Sequence, residues 1–386
     1  MERRPVRSYS LVTVTTTDHA RRIVSLDAFR GITIAAMILV NNPGSWSHIY
    51  PPLGHAEWHG WTPTDLVFPF FLFIVGTAIC SAIGRRLDAG TARASILLRA
   101  LRRSAILFGL GLVLSGFPDY ELATMRIPGV LQRIAVCYLL ATILFLWTRP
   151  RQQVWIAAGC LLLYWPLMTL VPVPGQEAPS IDQQGASLAA YVDRWLMGVH
   201  LWKADYDPEG VLSTIPALVT VLLGIAAGQV LCSSRTAQAK TRRLLIWGCP
   251  LIVTGYVWDW YFPINKALWT SSFVVFTGGL AFCGLALCHW LFDVQNRERL
   301  AHPLVVYGRN AITVFVLSGL LARLLGGVVE VQTEAGPVAL KIWIYENLLA
   351  TWLSPINASL AYAISWVLGW YVVLALMYRR GIVIKI

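Results

Sequence analysis

The chain has 386 residues, 56% of them hydrophobic and only 13% charged, with a formal net charge of +11 at pH 7. Soluble globular domains carry about 25% charged residues, so the composition excludes an ordinary soluble domain. Long apolar runs separated by short polar segments predict an all-α fold, a polytopic membrane helix bundle of about ten spans with both termini cytoplasmic.

Residues 1–22 are polar and read as a cytoplasmic N-terminal tail. No small-x-small cleavage site follows the first apolar run, so that run is expected to be a retained span and not a signal peptide. One transmembrane domain, 23–386, then follows. Its spans are expected near 23–41, 63–84, 104–117, 130–147, 154–172, 211–231, 244–260, 269–292, 304–325 and 359–378. These runs are too long for tilted membrane strands and lack their alternation, so strands are not expected. Residues 340–353 read as a short interfacial or re-entrant helix. The longest outer segment, 173–210, opens on a proline-rich loop, continues in a short helix at SLAAYVDRWLMG, and ends in the acidic turn KADYDPEG. The seven cysteines are odd in number and form no CxxC, and six lie in apolar runs. They read as small buried hydrophobes rather than a disulfide framework.

Orientation follows from Lys and Arg. Most of the 31 basic residues fall in the N-terminus to Arg30, in 85–103, 148–153, 232–243, 293–303 and the C-terminus, which are therefore assigned to the inside. The charge is positive-inside bias and not a nucleic-acid footprint. Acidic residues concentrate on the other side, including Asp193, Asp205, Asp207 and Glu209. An acid-rich outer face suits a cationic ligand, and equally suits solvated loops.

Several polar residues sit where they are expensive. Asp27 and Arg30, three apart at the inner end of the first span, are either a snorkelled anchor or part of a polar pathway. Asn41 and Asn42 end that span, either as a cap or as amides that stabilise an oxyanion. In HAEWHGWTPTD, Thr62, Pro63 and Asp65 resemble a capping box, and Asp65 is also placed to orient an imidazole. His55 and His59 are four apart, yet HAEWH is not HExxH and Gly54 and Gly60 bracket it, so no metal is expected. A histidine at a membrane edge beside a carboxylate is a general-base candidate. Gln132 and Arg133 lie about one turn inside the fourth span, where an arginine needs a partner or ligand. Asp259, Asn265 and Lys266 flank an outer aromatic turn whose rings serve either as an interfacial belt or as a sugar platform. GIAAG in the sixth span offers a small-residue packing face, within one subunit or in a homodimer.

Taken in order, SLDAFRG, LVN, HAEWHGWTPTDLVFPFFLFIVG, RIPGVLQRIAVCYL, AAYVDRWLMG, YDPEGVLSTIPALVTVLLGIAAG, FPINKALWTSSFV and YRRGIVIKI resemble the heparan-α-glucosaminide N-acetyltransferase family, including its bacterial members, across nearly the whole chain. The resemblance implies that acetyl-CoA from the cytoplasm donates acetyl to the amine of a glucosamine unit on the far side, with no metal and no nucleic-acid partner. The family's active histidine falls on His55, its V-N asparagine on Asn41, and the aspartate opening the next span on Asp65. Under that reading Arg30, Gln132 and Arg133 contact acetyl-CoA, while Asp205, Asp207, Glu209, Asn265 and Lys266 contact an amino-sugar acceptor. Arg309 replaces an apolar residue usual in the family, and no role is carried onto His59. The lysosomal setting of animal members does not transfer; a bacterial inner membrane, with lipid around the bundle, is the expected location. Two other readings stand beside this one: O-acylation of a cell-envelope glycan, and transport of a sugar or lipid, for which the internal symmetry common in transporters is missing.

Overall fold

The computed structural model describes residues 23–384, so the expected tail 1–22 lies outside the described residues. Long helices dominate: α1 Val24–Asn41, α2 Val67–Asp88 with a 3-10 turn Pro63–Leu66 before it, α3 Arg93–Gly116, α4 Val130–Trp147, α5 Pro150–Leu170, α7 Thr214–Cys232, α8 Ala237–Trp258, α9 Ser271–His289, α11 Ala311–Arg323 and α13 Pro355–Arg379. Short helices α6 Leu188–Met197, α10 Glu298–Arg309 and α12 Leu340–Ile344 lie between them. Proline opens the Pro63 turn, α5 and α13, where its missing N–H costs nothing. Ser187 and Thr236 accept backbone N–H groups at the starts of α6 and α8.

Among the described residues eight helices are long and apolar enough to cross a membrane, and the chain is an integral, multi-pass helical protein. The expected ten comprise these eight together with α3 and α8, which match them in length at 24 and 22 residues but carry basic residues in their first halves. Three expectations are corrected. Residues 85–103 are not a loop: α2 continues to Asp88 and α3 begins at Arg93. Arginines that snorkel to the interface suit a helix as well as a loop, and Arg85 and Arg86 suit the C-terminus of α2. The span placed at 304–325 is broken at Asn310, whose backbone (φ −119°, ψ 39°) leaves the helix. Its side chain donates to Ile382 O at 3.1 Å and accepts Ile384 N at 3.0 Å, competing with the helical ladder. The apolar span therefore starts at Ala311, and α10 is an amphipathic helix packed on α1. Finally, strands do occur, in the hairpin β1 Glu330–Thr333 and β2 Gly336–Ala339. There Gly336 supplies the φ of +115° that its turn needs.

Burial is greatest for the spans built on α7 and α9 (67% and 78% of their apolar windows) and least for those on α11 and α13, both at 17%. Tight contacts between α2 and α7 set this centre. A Cβ on Gly76 would lie 2.0 Å from Val221 O, and one on Gly224 would lie 1.9 Å from Phe73 O, so only glycine lets the backbones approach. Gly224 and Gly228 belong to GIAAG, so that face packs within one subunit. Arg309 lies at the end of α10, its guanidinium 4.6 Å from the Tyr378 ring centroid.

Candidate active site

The turn between α1 and α2 builds the site. Asn42 closes α1 by donating to Ile38 O at 2.8 Å, and Gly44 N binds Ser359 O on α13. From Gly54 the chain runs in non-helical conformation to Thr62, which prepares the turn before α2. Thr62 and Asp65 form a reciprocal capping box. The two oxygens of Asp65 divide their work. Oδ2 accepts Thr62 N (2.9 Å), Ala56 N (3.1 Å) and the Thr62 hydroxyl (3.2 Å), while Oδ1 lies 2.7 Å from His55 Nδ1.

With its side chain 1% exposed against 49% for His55, Asp65 is a buried anchor under a half-exposed ring. The Nδ1–H tautomer donates to Asp65 and leaves the Nε2 lone pair pointing outward. Such a ring can accept a proton there or act as a nucleophile.

Lys266 completes the group. Its Nζ lies 3.1 Å from Nδ1 and 3.3 Å from Nε2 of His55, and 3.6 Å from Asp65 Oδ1. Near-equal distances to both ring nitrogens put the amine over the ring face, because an in-plane approach would collide with Cε1. Burial pushes the Lys266 ammonium below the usual lysine range, although Asp65 and Glu209 oppose that shift. The turn that carries Lys266 is fixed: Gly60 N donates to Ile264 O at 2.7 Å, and Leu268 N donates to Asn265 Oδ1 at 2.9 Å. Asn265 is fully buried, and its amide nitrogen lies 3.3 Å from His59 Nδ1, whose Nε2 lies 3.0 Å from Asp182. His59 thus ties the turn to the 173–210 segment, and Trp58 does likewise by donating to Ile181 O.

Nearby, the acidic turn closes on a residue to which the sequence reading gave no role. Arg126 donates to both oxygens of Asp207 (2.8 and 2.6 Å) and to Glu209. Asp207 also accepts Trp202 N and Glu209 N, and its side chain is fully enclosed. Burial alone would lower the Arg126 guanidinium, but Asp207 and Glu209 raise it above its ordinary value. The signal was present: Arg126 is the one basic residue between the third and fourth spans, facing an acid cluster on the same side. Asp205 is exposed, and among the described residues its carboxylate holds no hydrogen bond. Asn41 is likewise exposed at the last turn of α1, and its amide has no partner among the described residues.

The remaining expected residues lie elsewhere. Arg30 is in the N-terminal half of α1, 3.0 Å from Asp27 and 3.4 Å from Gly308 O. Gln132 and Arg133 are buried in the first turn of α4. Arg133 donates to Gly210 O and Ser213 Oγ and stacks on Trp269, yet its Nε and Nη1, like Gln132 Nε2, are buried without protein partners. Their neighbours Leu131 and Ile134 line an apolar slot of about 60 Å³ between α2, α3, α4 and α11, which Arg103 enters from α3. The Arg103 Nε is also buried and unpartnered. None of His55, Asp65 and Lys266 lines the slot.

The family model described as heparan-alpha-glucosaminide N-acetyltransferase, catalytic, matches residues 22–257. That range contains His55 and Asp65 and stops short of Lys266. Two curated relatives are described as heparan-alpha-glucosaminide N-acetyltransferase. A Mus musculus protein is 31% identical over 353 residues, covering 77% of this chain and 53% of the relative. A Homo sapiens protein is 31% identical over 354 residues, covering 76% and 52%. The chain thus spans about half the length of the curated relatives it matches.

Proposed function

The chain belongs to the catalytic family of heparan-alpha-glucosaminide N-acetyltransferases, and from that premise we propose that it is a transmembrane N-acetyltransferase of a bacterial inner membrane. It moves acetyl from cytoplasmic acetyl-CoA to the amine of glucosamine, or of a glucosamine-containing sugar, on the periplasmic side. The observation that carries this reading is the His55–Asp65 contact at 2.7 Å, a buried carboxylate under an exposed imidazole.

As the acceptor amine attacks the thioester carbonyl, His55 Nε2 takes its proton, and Asp65 stabilises the imidazolium that forms. The C–S bond then breaks and the proton passes to the departing thiolate. In the covalent variant of this scheme, Nε2 itself receives the acetyl group and the amine removes it. Asn41, with its unengaged amide at the end of α1, donates to the carbonyl oxygen as negative charge develops.

For the donor, three unpartnered nitrogens, Gln132 Nε2 and Arg133 Nε and Nη1, suit the carbonyl oxygens of an amide-bearing arm, and Arg30 suits its phosphates. Buried donors without acceptors are uncommon in folded proteins, which is why these residues support a polar ligand. For the acceptor, Asp205 and Lys266 make direct contact with the sugar. Asp207 and Glu209, acting through Arg126, and Asn265, acting through its turn, shape the rim.

Incubating purified protein with labelled acetyl-CoA and glucosamine tests the reading. Label is expected on the sugar amine and lost about 10²–10⁴-fold in His55→Ala. Label on a hydroxyl of an amine-free analogue would replace N-acetylation with O-acylation, and transfer that His55→Ala leaves intact would remove His55 from the mechanism.

A further inference from the structure

The acceptor amine in this scheme must come within hydrogen-bonding reach of the imidazole's open nitrogen, about 2.6–3.2 Å. An amine of the chain itself already stands over the ring face, from which a shift toward the ring edge brings it to the Nε2 lone pair. Lys266 Nζ is 3.3 Å from His55 Nε2. The turn that holds it is pinned by Gly60, Asn265 and the contact between His59 and Asp182, so the backbone that carries the amine is fixed. Its side chain is only 22% exposed, and burial favours the neutral, nucleophilic form.

We propose that Lys266 is an internal acetyl acceptor: without a sugar amine, the donor thioester acetylates its Nζ and closes the site. This rests on the acetyl-transfer reading above. The Nζ lone pair forms the C–N bond and the thioester C–S bond breaks. The Nζ proton goes to His55 Nε2 and then to the thiolate, leaving free thiol and an ε-N-acetyl-lysine. The product places a neutral amide over the ring where the free amine stood beside Asp65, filling the space a sugar amine needs. A sugar acceptor displaces Lys266 from the ring and so protects it.

The test uses the full chain with labelled acetyl-CoA and no sugar, followed by peptide mass spectrometry. Lys203 and Lys341, whose amines lie against Gln184 and Trp46, report non-enzymatic acetylation. Lys266 is expected to label at least tenfold faster than either, an order-of-magnitude margin set by the about 10²–10⁴-fold contribution of a positioned base. The adduct is expected to resist hydroxylamine, to form far more slowly in His55→Gln, and to decline when glucosamine is present. Lys266→Arg, which keeps the charge, is expected to remove the stable label while the protein still unfolds cooperatively. Labelling no faster than Lys203, or a hydroxylamine-labile adduct on His55 alone, overturns the proposal. If glucosamine is acetylated and Lys266 is not, this inference falls and the enzymatic reading stands. If neither sugar nor protein is labelled, both fall.

Discussion

At the His55 site, a buried carboxylate holds one nitrogen of a half-exposed ring and leaves the other open. At the Arg126 site, two carboxylates close around one guanidinium, and Asp207 is saturated by two arginine contacts and two backbone N–H groups. Both lie in loops outside the long helices, and both join acids to a base. They differ in whether any hydrogen-bonding capacity remains for a ligand. Incomplete satisfaction, and not the presence of charge, marks the site that can do chemistry, while complete satisfaction marks a clamp.

Four measurements press on that contrast. The largest effect is expected from His55→Ala: transfer falls about 10²–10⁴-fold, while the melting temperature in detergent holds because the ring is half exposed. Loss of folding in that variant would make His55 a structural residue. Asp207→Ala is expected to behave in the opposite way, costing about 3–5 kcal/mol of stability by leaving Arg126 without its main partner, measured by thermal or denaturant unfolding. A fully stable Asp207→Ala protein with no activity would turn the clamp into a site.

A smaller effect comes from Asp193, buried beside the clamp, where its carboxylate accepts Val211 N at 2.7 Å. Burial pushes its carboxyl up to about 6, from an ordinary 3.8. The folded chain therefore holds that proton more tightly than the unfolded chain, so the group's effect is neutral at low pH and destabilising as pH rises towards 6. Asp193→Asn is expected to flatten that slope, raising stability at pH 7 relative to acid by at most about 3 kcal/mol. An unchanged pH profile would show that Asp193 ionises normally. The smallest effect is expected for the exposed Asp205→Asn: stability within about 0.5 kcal/mol of wild type, with a KM for the amine acceptor a few-fold higher and less sensitive to salt. An unaltered KM would leave Asp205 a solvated loop carboxylate.

Much of this was legible in the residues. Apolar runs announced the spans, and the spacing of Thr62, Pro63 and Asp65 announced the capping box that the structure contains. Other features were not legible. Nothing in a hydropathy pattern distinguishes an arginine-bearing loop from the arginine-bearing start of α3. Nor does it reveal that Asn310 trades its helical ladder for the residues after α13. Asp207 and Asp205 look alike as letters two positions apart, yet one is sealed by Arg126 from a distant loop and the other is open.

The sequence by itself determined a helical membrane protein and the local turn that stations Asp65 at the start of α2, because these depend on composition and on contacts a few residues apart. Only the tertiary structure decided that Lys266, more than two hundred residues beyond His55, lies over its ring, that GIAAG packs inside one subunit, and which acids are closed off. Those outcomes depend on which loops meet above the bundle, and contact between distant segments is set by the packing of whole helices, which no local pattern of residues encodes.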